Sequence, residues 1–207
     1  MKLYYSPGAC SLAPHIALNE AGLDHDAVKV DLARHTLADG TDYYKVNPKG
    51  YVPLLELDDG TRLSEVAVIL QYIADRKPGT LAPAFGSMER YRVMEWLNFI
   101  ATEIHKQFGP LWYPDTPEAT REKQKAALAK RFDIVSESLA AQPYLTGDTF
   151  TIADAYLFTV VNWAGMLKFD LSPWPALRQF QARVAARPGV HAVLVAEGLA
   201  RPVAVAA

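Results

Sequence analysis

Hydrophobic and polar positions change their period a little over a third of the way along the chain. Up to residue 77 the pattern switches between the two-residue alternation of strands and the 3.6-residue recurrence of helices. Lys2-Leu3-Tyr4-Tyr5 reads as a strand and Ser6-Pro7-Gly8-Ala9 as a turn. Residues 11–21 read as a helix ending at Gly22, a residue suited to the left-handed closing position. Pro14 must fall in the first turn of that helix, because deeper in it would break the backbone ladder. Residues 27–31 alternate apolar and polar, as a half-buried strand does. Residues 32–50 are mixed and predict a short irregular helix. Residues 52–57 predict a strand, Asp59-Gly60 a hairpin turn, and residues 61–63 the returning strand. Ser64 predicts the N-cap of a helix whose apolar face carries Val66, Ile69, Leu70 and Ile73.

Beyond this point every strong pattern is helical. Residues 78–87 hold Pro78, Gly79, Pro83 and Gly86 and predict a linker between a domain over 1–77 and one over 88–207. Val93, Leu97, Ile100, Ile104 and Phe108 form one apolar helical stripe. Asn98, Thr102 and His105 follow at i, i+4 and i+7, which predicts a polar strip about 100° around the same helix, where a cleft wall belongs. Residues 117–141 predict a charged amphipathic helix. Thr151-x-x-Asp154 has the form of a capping box before an apolar helix, and two shorter helices follow Pro175 and Pro188. The fold class is therefore α/β followed by all-α.

Composition narrows the function. The chain has 207 residues, half of them hydrophobic, and a net charge of −2, which argues against a nucleic-acid partner. One cysteine cannot form an internal disulfide, the N-terminus reads as a strand and not as a leader, and no apolar run is long enough to span a bilayer. A soluble cytoplasmic protein is expected. His15, His25 and His191 show no metal-ligand spacing, and no metal is expected. Cys10 is the chain's only cysteine, and it falls at the opening of the first predicted helix. Free N–H groups and the helix dipole there favour thiolate, the reactive form. A lone cysteine is also often no more than a small buried hydrophobe.

Longer strings decide between these readings. Residues 5–12 (Tyr5-Ser6-Pro7-Gly8-Ala9-Cys10-Ser11-Leu12), residues 46–53 (Val46-Asn47-Pro48-Lys49-Gly50-Tyr51-Val52-Pro53), residues 96–106 and residues 150–158 resemble the bacterial beta class of glutathione S-transferases, in the same order and across essentially the whole chain. The resemblance implies a thioredoxin-like N-terminal domain that binds glutathione and an all-helical C-terminal domain. It implies a cleft between them for a hydrophobic electrophile, and a homodimer in which glutathione also touches the neighbouring subunit. It places Cys10 beside the glutathione sulfur, with Ser11 second and Tyr5 third as rival activators. Ala13 stands where a resolving thiol would be, so external glutathione would have to resolve a disulfide. It implies a cis Pro53, with Tyr51 and the Val52 backbone against the peptide. It sets Glu65 against the γ-glutamyl ammonium and the N–H of Val66 against its carboxylate. Asn98, Thr102, His105 and Lys106 become glutathione contacts, His105 acting near the thiolate. His35 takes the place of a lysine for the glycyl carboxylate. Trp112, Tyr113, Trp163 and Met166 become candidates for the electrophile wall. The implied activity is conjugation of glutathione to hydrophobic electrophiles. Thiol–disulfide reduction or peroxidation through Cys10, and a non-catalytic binding module, are the alternatives.

Overall fold

The strand-forming residues of the first third build one five-stranded sheet. In the computed structural model, which describes residues 1–202, the order is β3-β2-β1-β4-β5. β1 (Lys2–Tyr5) is central; it runs parallel to β2 (Asp26–Asp31) and antiparallel to β4 (Leu54–Glu56). β3 (Thr36–Leu37) and β5 (Arg62–Ser64) close the edges antiparallel to their neighbours. Alternation sends Leu3 and Leu55 to one face, against α1 (Leu12–Glu20) and α2 (Val66–Arg76). Tyr4 and Leu54 point to the other, where Val30, Tyr43 and Val52 form a smaller cluster.

The helical part comprises α3 (Met88–Phe99), α4 (Lys106–Phe108), α5 (Glu118–Ala141), α6 (Ile152–Met166), α7 (Pro175–Ala185) and α8 (Pro188–Ala196). α6 is mostly apolar, buried on nearly every side, and is the centre of the molecule: α1, α2, α3 and α7 all pack on it. One continuous core therefore runs from Leu3 and Ile16 through Leu97 and Ile104 to Leu157 and Phe180. The stripe Val93, Leu97, Ile100, Ile104 and Phe108 is buried throughout, at 0–1% exposure. Asp154 and Thr151 make the expected box, with the Thr151 N–H and hydroxyl donating to Asp154 Oδ2 at 2.8 and 2.9 Å. Among the described residues no helix is long and apolar enough to cross a membrane.

Three expectations change. Residues 32–50 hold a short strand, β3, and a single 3-10 turn at Tyr43–Lys45 instead of an irregular helix. Asp31 accepts from the N–H groups of Ala33 and Arg34, and Asp42 from that of Tyr44, so local side-chain bonds turn the chain before a helix can propagate. Ser64 ends β5, paired with Leu54, and Glu65 is the N-cap of α2. Finally, α3 does not continue as an α-helix: residues Ile100–His105 form a π-helical segment.

Candidate active site

The turn after β1 and the loop before β4 meet at one end of the sheet. Gly8 takes φ 71° and lets residues 6–10 fold back on themselves. The Ser11 hydroxyl closes that turn, accepting from the Ser6 N–H at 3.1 Å and donating to the Ser6 carbonyl at 3.2 Å. Ser11 is fully buried by this work, which corrects the expectation that its hydroxyl reaches a ligand thiol. Tyr5 likewise packs its ring on His15, 5.4 Å away, outside the cleft. Cys10 does face the cleft, and its Sγ donates to the Val52 carbonyl at 3.2 Å. Its acidity runs opposite to expectation. Burial pushes the thiol up to about 12; the N–H groups of Cys10 and Ser11 offset only part of this, and the Glu65 carboxylate adds to it. Cys10 is thus a neutral hydrogen-bond donor near pH 7, not the thiolate that the helix terminus alone predicted.

The opposite lip is the loop that carries Tyr51, Val52 and Pro53. Asn47 Nδ2 and the Tyr43 hydroxyl both donate to the Tyr51 carbonyl, at 2.7 and 3.0 Å. Gly50 takes φ 70°, and a Cβ there would lie 2.5 Å from the Tyr44 ring, so only glycine fits. The Val52–Pro53 bond is cis. Next along the wall stands Glu65, a non-glycine residue at φ 75°. Holding a side-chain-bearing residue there costs about 1–3 kcal/mol, and such outliers cluster at functional sites. The consequence is visible: the Glu65 carbonyl starts α2, accepting from Val68 and Ile69, while its carboxylate caps nothing and turns to Lys49 at 2.8 Å. The first N–H groups of α2, at Val66 and Ala67, open into the same cleft without helical partners.

The helical domain supplies the far wall through the π segment. Its wider turn breaks the α-helical phase on which the strip Asn98–Thr102–His105 was drawn. His105 turns inward, whereas Asn98 and Thr102 are exposed and bond back to their own helix, to the Met94 and Asn98 carbonyls at 3.0 Å each. Neither lines the cleft of this chain. His105 Nδ1 is 2.7 Å from the Tyr156 hydroxyl, and its ring meets Trp163 edge-on at 4.8 Å. Burial, helped by the Lys106 charge, lowers His105 to about 4, so the imidazole is neutral at pH 7. Burial raises the Tyr156 phenol, which stays protonated.

These pieces enclose one cleft of about 1240 Å³. Cys10, the Tyr51–Pro53 loop, Glu65 and Val66 line it from the N-terminal part of the chain, and His105 and Lys106 from the helical part. His35 does not reach it; at φ 51° it stacks on Tyr44 with ring centroids 4.6 Å apart, and Leu32 stands at the cleft instead. Trp112 and Tyr113 form the apolar end, whereas Trp163 is buried behind it, donating to the Gly8 carbonyl at 2.8 Å, and Met166 packs beside Gly8. Among the described residues no group of three or more His, Cys, Asp or Glu side chains is placed to hold a metal ion.

A cysteine-bearing turn, a cis-proline loop and an all-helical wall are a combination that can be compared with known proteins. Two family models match: the glutathione S-transferase N-terminal domain over residues 8–76 and the glutathione S-transferase C-terminal domain over residues 96–188. Glutathione S-transferase GstA of Escherichia coli O157:H7 is 51% identical over 201 residues, spanning 96% of this chain and 100% of its own. The chain belongs to the glutathione S-transferase family. Solved structures agree. The ternary complex of BphK, a bacterial transferase, superposes with a TM-score of 0.94 at 53% identity, covering 96% of this chain and 100% of that one. A sphingomonad glutathione S-transferase complexed with glutathione superposes at 0.92 and 45% identity, covering 97% and 100%. Lys49 and Tyr156 are among the cleft residues of this transferase that sequence reasoning missed. Lys49 lies inside a string that carried the resemblance, yet reads as an ordinary loop lysine. Tyr156 sits at a core position of a mostly apolar, buried helix, and only its distant partner His105 gives it a polar role.

Proposed function

We propose that this transferase is a cytoplasmic detoxification enzyme that conjugates glutathione to hydrophobic electrophiles, with no metal. The observation that carries the reading is the continuity of one cleft. It joins the Val52 segment of the cis-proline loop, the Glu65 carboxylate, the first helix N–H groups at Val66 and Ala67, and an aromatic end at Trp112 and Tyr113. The Val52 backbone pairs with the cysteinyl unit in the manner of an added strand. The γ-glutamyl ammonium meets Glu65, and its carboxylate meets the N–H of Val66. The ligand sulfur then lies beside Cys10 and the His105–Tyr156 pair. The thiol proton leaves to water and a sulfur lone pair forms the new S–C bond; in a displacement the halide departs with the bonding pair, and in an addition the π pair shifts to the neighbouring atom, which takes a proton from water. Neutral Cys10 and the Tyr156–His105 pair act as fixed hydrogen-bonding groups for the anionic sulfur. Burial at the Val52 carbonyl raises the pKa of the Cys10 thiol, which argues against its service as a covalent nucleophile, and so against the reductase reading.

Turnover of a chromogenic aryl halide with glutathione tests the proposal; a folded protein with no conjugating activity overturns it. Cys10→Ala is expected to keep conjugation within about fivefold of the parent, since a neutral hydrogen bond is worth about 1 kcal/mol. A loss beyond a hundredfold would restore Cys10 as nucleophile. The proposal extends to a homodimer. Val68, Met88 and Tyr91 are 47%, 65% and 53% exposed on α2 and α3, helices that the Asp75–Arg90 pair ties together at 3.0 Å. Sedimentation velocity at micromolar concentration is expected to give the dimer mass; a monomer would remove this part of the proposal.

A further inference from the structure

Lys49 holds the cation of an internal ion pair at the mouth of the cleft. Its Nζ is 2.8 Å from Glu65 Oε1 and 3.0 Å from Ser64 Oγ. The two charged side chains are 52% and 69% exposed, so the pair is solvated and easily exchanged. The lysine's base is firm by contrast. Its N–H donates to Asn47 Oδ1 at 3.2 Å, Asn47 is 4% exposed, and the next residue is the constrained Gly50. A fixed stem with a free head can reach one partner and then another.

Glutathione's γ-glutamyl end carries an ammonium and a carboxylate on one carbon. If its ammonium takes Glu65, as the proposed function has it, Lys49 is displaced from the position it occupies. Two cations on one carboxylate repel unless a second anion arrives with them, and the ligand brings that anion. We infer that Lys49 reads the α-carboxylate of the γ-glutamyl group. In the complex the charges alternate: Glu65 carboxylate, ligand ammonium, ligand carboxylate, Lys49 ammonium. The assignment deepens the glutathione reading and rests on it. The glycyl end is not the target, because pairing at Val52 fixes the middle of the peptide. With the γ-glutamyl group at Glu65, the glycine extends away from the Lys49 head. His35, packed on Tyr44, does not compete for the α-carboxylate.

Calorimetric titration of the intact protein and of Lys49→Met, with three ligands, tests this. The ligands are glutathione, 4-aminobutyryl-cysteinyl-glycine (which lacks only the α-carboxylate), and glutathione with its glycine as the amide. Lys49→Met is expected to weaken glutathione and the glycine amide about tenfold. It is expected to leave the 4-aminobutyryl peptide unchanged or tighter, since the competing internal cation is gone. Lys49→Arg should preserve the discrimination. Equal loss for all three ligands overturns the assignment, as does a loss that disappears with the glycine amide instead. An unmodified protein that fails to bind glutathione overturns the functional reading and this inference together. One that binds it with no dependence on Lys49 overturns this inference alone.

Discussion

Asp154→Ala is expected to cost this transferase about 3–5 kcal/mol of stability, enough to unfold a marginal domain at 37 °C. The carboxylate is fully buried at the start of α6. It accepts from the N–H of Leu145, the N–H of Thr151 and the hydroxyl of Thr151, at 2.8, 2.8 and 2.9 Å. Truncation strands three donors in the interior at about 1–3 kcal/mol each before relaxation. The thermal midpoint should fall by roughly 6–20 °C for a chain of this size. A fall under about 2 °C would mean that water or another acceptor replaces the carboxylate freely. Because Tyr156 is two residues further along the same helix, conjugating activity should fall with the folded fraction. Charge adds a pH signature. Burial raises the Asp154 pKa to about 6, against 3.8 for the unperturbed group. Between these values the folded state binds a proton that the unfolded chain releases, so this group adds stability as pH falls from about 6 towards 4, and that increment is absent above 6. Asp154→Asn cannot titrate. The stability gap between it and the parent should therefore be wider at pH 5 than at pH 7.5, and a gap that narrows on acidification would contradict the assignment.

Local chemistry made much of this legible in the sequence. α1 closes at Gly22 with φ 60°, the apolar stripe from Val93 to Phe108 is buried, α7 and α8 begin at Pro175 and Pro188, and the Thr151–Asp154 box caps α6. Each depends on residues within a turn or two of one another. The features that were not legible depend on distant groups. Nothing near Ser64 says that the helix begins one residue later on a Glu65 at positive φ; that follows from the pairing of β5 with β4. The helix start beside Cys10 predicts an acidic thiol, but burial against Val52, 42 residues away, decides the outcome. A single helical phase put Asn98, Thr102 and His105 on one strip, and the π segment separates them. Tyr156 looks like core until His105, 51 residues away, is placed against its hydroxyl.

Glu197→Ala is expected to be nearly as damaging as Asp154→Ala, although Glu197 lies at the end of α8, far from the cleft in sequence. Its side chain is wholly buried, with Oε1 2.7 Å from His15 Nδ1 and Oε2 accepting from the Gly8 N–H at 2.9 Å. On its other side Gly8 gives its carbonyl to Trp163 Nε1 at 2.8 Å. The turn that presents Ala9 and Cys10 is thus held at both backbone groups, by α8 and by α6, and a Cβ at residue 8 would come within 2.8 Å of Met166 Cε. Removing the carboxylate leaves the Gly8 N–H and the His15 ring without partners in the interior, a loss of about 3–5 kcal/mol. At about 2–4 °C per kcal/mol, the midpoint should drop by roughly 6–20 °C. Glu197→Gln keeps an acceptor for Gly8 and a polar group for His15, and should cost no more than about half as much. In protein that remains folded, the loosened turn should raise KM for glutathione more than it lowers kcat, because the lost restraint positions the binding lip and touches no reacting atom. A Glu197→Ala protein with an unchanged midpoint and an unchanged KM would show that α6, through Trp163 alone, is sufficient to hold the turn.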